Sequence, residues 1–93
     1  MSDVFSALAH PVRREVLRLL RDGPMTAGEL SAQFEVAKPT MSRHFATLKD
    51  AGLIQAEKDG NSIRYRLNVS VADEALSMIM DLLQTRPQSG DKP

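Results

Sequence analysis

The 93 residues carry no formal net charge, with 42% hydrophobic and 26% charged side chains, and this length holds one small domain whose core a second subunit would help to complete. The chain contains no cysteine, which excludes disulfides, thiolate metal ligands, catalytic thiols and thiol redox switches together. No apolar run approaches the roughly 18 residues that span a bilayer, and the first residues lack the basic and apolar segments of a secretion signal, so a cytoplasmic location is expected.

Val4, Phe5 and Leu8 have the spacing of a short amphipathic helix over residues 3–9. His10 interrupts it, Pro11 suits the first turn of a new helix, and Val12, Val16, Leu17, Leu19 and Leu20 form that helix's apolar stripe as far as Asp22. Gly23 and Pro24 end it. Thr26 with Glu29 three residues on is a capping-box pattern, which predicts a helix from Ala27 to Phe34 with Leu30 and Phe34 facing inward. Glu35, Val36 and Ala37 make a turn. Pro39 opens the next helix, in which Met41, Phe45 and Leu48 recur at i, i+4 and i+7 and fix the buried face, and Gly52 closes it.

After Gly52 the period changes from helical to alternating. Ile63, Tyr65 and Leu67 lie on one side of a strand and Arg64 and Arg66 on the other, and Asp59, Gly60 and Asn61 turn it back on an earlier strand over residues 54–58. A last helix is expected over residues 70–85, followed by a flexible tail over 86–93 that contains two prolines, a glycine and a serine. The fold class is mainly α with a small β-hairpin: a winged helix-turn-helix of five helices and a two-stranded wing, with residues 1–85 forming one DNA-binding and dimerisation domain.

A net charge of zero argues against a nucleic-acid partner until the charges are placed along the chain. Between Lys38 and Arg66, the basic residues Lys38, Arg43, Lys49, Lys58, Arg64 and Arg66 outnumber Asp50, Glu57 and Asp59 by three, whereas Asp73, Glu74 and Asp81 make the last helix acidic. In the helix after Pro39, the buried stripe leaves Thr40, Arg43 and Thr47 on the opposite face, flanked by Ser42 and His44. Arginine can pair with guanine, while Ser, Thr and Lys38 fix register on phosphates. In the hairpin, Lys58, Asn61, Ser62 and Arg64 are positioned to touch phosphates or enter a minor groove. The alternative for either face is ordinary solvated surface. Arg13 and Arg14 fit a contact to the DNA backbone as well as they fit a solvated face or a salt bridge to Glu15 or Asp22.

The last helix carries Val71, Ala72, Ala75, Leu76, Met78, Ile79, Met80, Leu82 and Leu83, an apolar arc wider than one contact with a small domain needs. Val4, Phe5, Leu8, Ala75, Ile79, Leu82 and Leu83 are expected to form a twofold dimer interface. Such a dimer would present two reading helices to successive major grooves about 34 Å apart.

His10 and His44 are the only two histidines, and neither has a further ligand at metal-binding spacing, so no metal or other cofactor is expected. Ser42 and His44 lie two apart on a helix and point in different directions, which leaves no nucleophile and base pair, and an enzyme is not expected. A second reading is a winged helix that serves as a protein-interaction or antitoxin-like module, which zero net charge keeps open. A steep fall of DNA affinity with salt separates the two readings.

The strings ALAHPVRREVLRLL (7–20), MTAGELSAQF (25–34), KPTMSRHFATLKDAGLI (38–54) and DGNSIRYRL (59–67), in this order, resemble the ArsR-type winged-helix repressors of bacteria and archaea over nearly the whole chain. The resemblance implies a homodimeric repressor of a double-stranded DNA operator, with the third and fourth helices reading DNA and the first and last forming the dimer interface. It assigns Lys38, Thr40, Ser42, Arg43 and His44 to reading-helix positions and Arg64 to the wing. Metal-sensing members carry a cysteine pair on the helix matching Thr26 to Phe34, or Asp and His ligands on the last helix; here those segments read ELSAQF and VADEALSMIMDLL. The chain is more similar to the small metal-independent, SdpR-like members, and it is expected to bind an imperfect inverted repeat at a promoter.

Overall fold

The computed structural model describes residues 3–84. In chain order the elements are α1 (Val4–Ala7), α2 (Pro11–Leu20), β1 (Met25–Thr26), α3 (Ala27–Ser31), α4 (Lys38–Asp50), β2 (Ile54–Asp59), β3 (Ser62–Leu67) and α5 (Val69–Leu83). These are the five helices and the wing hairpin, β2–β3, of a winged helix-turn-helix. The predicted helix end at Thr85 and the predicted tail over 86–93 lie outside the described residues.

Helix starts follow local chemistry, because the first N–H groups of a helix need acceptors from outside it. Asp3 accepts from the Ser6 N–H at 2.8 Å, and the His10 imidazole Nδ1 accepts from the Val12 N–H at 3.1 Å ahead of Pro11. Thr26 and Glu29 form the complete reciprocal box, with the Glu29 N–H on Thr26 Oγ1 at 3.1 Å and the Thr26 N–H on Glu29 Oε1 at 2.8 Å. At the other end of the reading unit, Gly52 has φ +80°, its N–H donates to the Lys49 carbonyl, and the Leu53 N–H reaches back to the Leu48 carbonyl. This is a Schellman stop, closed by the buried pair Leu48 and Leu53.

Two features differ from the sequence reading. The third helix ends at Ser31 rather than Phe34, because the Gln33 and Phe34 N–H groups bond to the carbonyls of Leu30 and Ser31, three residues back, and tighten the chain into the turn. Phe34 still packs on the core, but from the turn. The sheet also has three strands in the order β1-β3-β2, since Met25 and Thr26 pair antiparallel with Tyr65 and Arg64. Two residues are too short a stretch to show an alternating pattern.

The wing register runs from Ile54 opposite Leu67 to Asp59 opposite Ser62, and Gly60 and Asn61 close it. Gly60 has φ +65° while Asn61 stays negative, the pattern of a type II′ turn that matches strand twist. The core beneath is a single cluster of Ala7, Val16, Leu20, Leu30, Met41, Phe45, Leu48, Leu53 and Ile54. It draws on every helix except α5, so the reading helix is clamped between α1, α2, α3 and the base of the wing.

Candidate nucleic-acid interface

Helix α4 is oriented by its buried face, made of Met41, His44, Phe45 and Leu48. Phe45 stacks on Tyr65 of β3 with ring centroids 4.9 Å apart, tying the helix to the sheet. Burial holds the Tyr65 phenol above its ordinary pKa and keeps it neutral. With that side anchored, Ser42 and Arg43 are exposed, and Thr40 and Thr47 are partly exposed. Thr40, Arg43 and Thr47 are spaced i, i+3 and i+7, which makes one outward ridge. Lys38 is exposed in the first turn, and beside it an open groove between α3 and α4 is lined by Ala27, Gly28, Ser31, Ala32, Phe34, Val36, Lys38 and Ser42. The small side chains on α3 leave room there for another backbone to approach closely.

His44 does not belong to this face. It is 7% exposed, on the inner side of α4, with its ring centroid 4.5 Å from that of His10 and its Nδ1 3.2 Å from an Arg13 guanidinium nitrogen. Helical geometry accounts for the correction, because residue 44 sits three after Met41 and four before Leu48 and so falls within the buried stripe. Desolvation, followed by the nearby His10 and Arg13, lowers its pKa below the usual histidine value and keeps the ring neutral.

Neither Arg13 nor Arg14 forms a salt bridge to Glu15 or Asp22. The Arg13 Nε donates to the Ala7 carbonyl at 2.7 Å and its second terminal nitrogen to the Ser6 carbonyl at 3.2 Å, while Arg14 donates to the Leu8 carbonyl at 2.8 Å. Both arginines therefore donate to carbonyls at the end of α1. Nothing in the residue spacing marks them for this work, since it depends on how α1 folds back over α2.

In the wing, the register divides the expected contacts between two faces. Ser62, Arg64 and Arg66 share the outer face with Gln55, Glu57 and Asp59, whereas Lys58 lies opposite Ile63 on the other face. Asn61 is exposed at the tip. Arg64 pairs with Asp59, and Arg66 pairs with Glu57 at 2.9 Å. The positive excess seen in sequence is thus carried by Lys38, Arg43, Lys49 and Lys58, which make no ion pair among the described residues, while the two wing arginines are already neutralised. Exposed pairs of this kind contribute only about 0–1 kcal/mol, so phosphates can displace the carboxylates.

Helix α5 adds only Val71, Ala72 and Ala75 to the packing of the body. Ala75 is 4% exposed, buried within its own chain, and so brings no surface to a partner; this corrects its assignment to a dimer interface. Leu82 and Leu83 are 79% and 78% exposed, Phe5 is exposed, and Val4, Leu8 and Ile79 are partly buried. Exposed Leu76, Met78 and Met80, absent from the predicted interface, flank Ile79 and Leu82 on the same arc.

Among the described residues no group of three or more His, Cys, Asp or Glu could hold a metal ion, and no helix is long and apolar enough to cross a membrane. The sequence matches the helix-turn-helix domain family over residues 8–55. It is 36% identical over 83 residues to the transcriptional repressor SdpR of Bacillus subtilis, spanning 89% of this chain and 92% of that protein. It is 33% identical over 88 residues to an arsenical resistance operon repressor of Staphylococcus xylosus, spanning 95% of this chain and 84% of that one. The fold superposes on the crystal structure of a possible transcriptional regulator for arsenical resistance with a TM-score of 0.83 at 28% identity, covering 90% of this chain and 88% of the other.

Proposed function

The chain belongs to the ArsR-type winged-helix family of DNA-binding transcriptional repressors, and on that premise we propose that it works as a cytoplasmic homodimer on an inverted-repeat operator. The observation that carries the reading is the outward ridge of Thr40, Arg43 and Thr47 on a helix whose opposite face is locked into the core. Arg43 pairs with a base edge in the major groove, with Thr40 and Thr47 beside it. Lys38 and Ser42 hold the phosphate backbone against the groove between α3 and α4, and Lys58, Asn61, Ser62 and Arg64 hold the flanking phosphates from the wing. The exposed arc of α5, with Phe5 and the partly buried Val4, Leu8 and Ile79, supports twofold pairing, which sets the two reading helices one helical turn of DNA apart. Repression follows from occupancy of the promoter, and no metal or other cofactor enters.

Arg43→Glu tests the reading helix. A duplex selected by the wild-type protein from a random pool should lose binding by at least about 30-fold in a gel shift, since a base-pairing arginine discriminates by roughly 1–3 kcal/mol in each protomer. Unchanged affinity with an intact dimer would remove α4 from the DNA.

A further inference from the structure

Both histidines of the chain meet in one cluster at the junction of α1, α2 and α4, and histidine is the side chain whose ordinary pKa lies between pH 5 and 8. Arg13 is the centre of this junction. Its planar fork donates to the Ala7 and Ser6 carbonyls of α1 and to His44 Nδ1 on α4 at the same time. A guanidinium has no acceptor, so this contact requires an unprotonated Nδ1 and hence the neutral His44 tautomer with its proton on Nε2. A protonated His44 would turn an N–H toward an N–H and add a second cation beside Arg13.

We propose that Arg13 and His44 form a proton-sensitive latch that positions the reading helix, closed when His44 is neutral and opened by its protonation, so that operator affinity falls as the medium becomes acidic. The inference rests on α4 being the DNA-reading helix. The groups that face His44 are His10, from the α1–α2 junction, and Arg13, from α2, while α1 contributes only backbone carbonyls. None of the three makes an ion pair with a carboxylate among the described residues, so nothing nearby compensates an added proton.

The sign follows from linkage. A histidine whose folded pKa lies below its unfolded value stabilises the fold fully above about pH 6.5, and that contribution is lost as pH falls through the lower, folded value. If DNA binding requires the latched form, affinity falls across the same window. The direction is diagnostic, because a surface histidine touching phosphate would bind DNA more tightly on protonation.

The experiment measures affinity for the selected duplex by fluorescence anisotropy from about pH 8 to about pH 5, with helix content followed by circular dichroism. The wild type should lose affinity by about tenfold across this range, a change well outside the error of the titration. In His44→Asn, whose amide oxygen can accept from Arg13 without titrating, the ratio of affinities at the two ends should approach one. His10→Asn, which keeps a good helix cap, should retain the fall. Arg13→Lys should weaken binding at about pH 8 and flatten the profile, because an ammonium cannot hold three acceptors in one plane. A flat or rising wild-type profile overturns the latch, as does a fall that survives in His44→Asn, a fall abolished only in His10→Asn, or one that tracks loss of helix signal. Failure of Arg43→Glu to affect binding would instead overturn the reading helix, so the two failures are separable.

Discussion

Replacement of Leu82 by lysine is expected to separate the proposed dimer without harming the fold of the single chain. Full burial of a leucine side chain contributes about 2 kcal/mol, and with 79% of Leu82 exposed, about 1.6 kcal/mol remains to be gained at an interface. Twofold symmetry uses each side chain twice, so the pair contributes about 3 kcal/mol. That corresponds to a dimer dissociation constant weaker by about two orders of magnitude, and two lysine charges brought together lower the affinity further. Lysine is the useful replacement because α5 has no basic residue in its last turn, where a cation is favoured by the helix dipole. Circular dichroism should therefore be unchanged while sedimentation equilibrium reports monomer. A dissociation constant within about threefold of wild type would refute an interface on this part of α5. Ala75→Asp makes the contrast: at 4% exposure it should unfold the chain by burying a charge.

Removing the carboxylates that neutralise the wing should tighten DNA binding. Glu57→Gln with Asp59→Asn frees Arg66 and Arg64, and a gain of about two- to fivefold at low salt is expected, with a steeper dependence on salt in an anisotropy titration. No change in either quantity would mean that the wing does not meet phosphates. Thr26→Ala opens one half of the capping box at the start of α3 and should cost about 1 kcal/mol in urea denaturation; a cost below about 0.3 kcal/mol would show that pairing of β1 with β3 alone holds this end.

Most of the architecture was legible because it is written in local chemistry. Pro11, the Thr26 and Glu29 pair, Pro39, Gly52 and Gly60 each mark a helix start, a helix stop or a turn by a mechanism confined to a few residues. The outward ridge on α4 followed from the same local rule, since Met41, Phe45 and Leu48 determine which side is left over. Most of the features that were missed depend on how elements meet, whereas the early end of α3 and the burial of His44 are local effects. Strand β1 exists only because Tyr65 and Arg64 return beside Met25 and Thr26. Arg13 finds acceptors because α1 folds over α2, and Arg64 finds Asp59 across the hairpin.

His44 marks the boundary between the two kinds of information. Its sequence neighbours, Arg43 and the polar residues around it, made it look like part of the reading face. Helical period alone could have assigned it to the stripe of Met41 and Leu48, but polarity outweighed period. What its burial serves was decided only in three dimensions, where α2 brings Arg13 to its Nδ1 and the α1–α2 junction brings His10 against its ring. By itself the sequence determined the family, the order of elements and the exposed ridge, because repeating patterns and caps act over one or two turns. The tertiary structure decided which charges are paired, which apolar groups remain for a partner and what the buried histidine meets, because burial and pairing are properties of groups that meet across the chain.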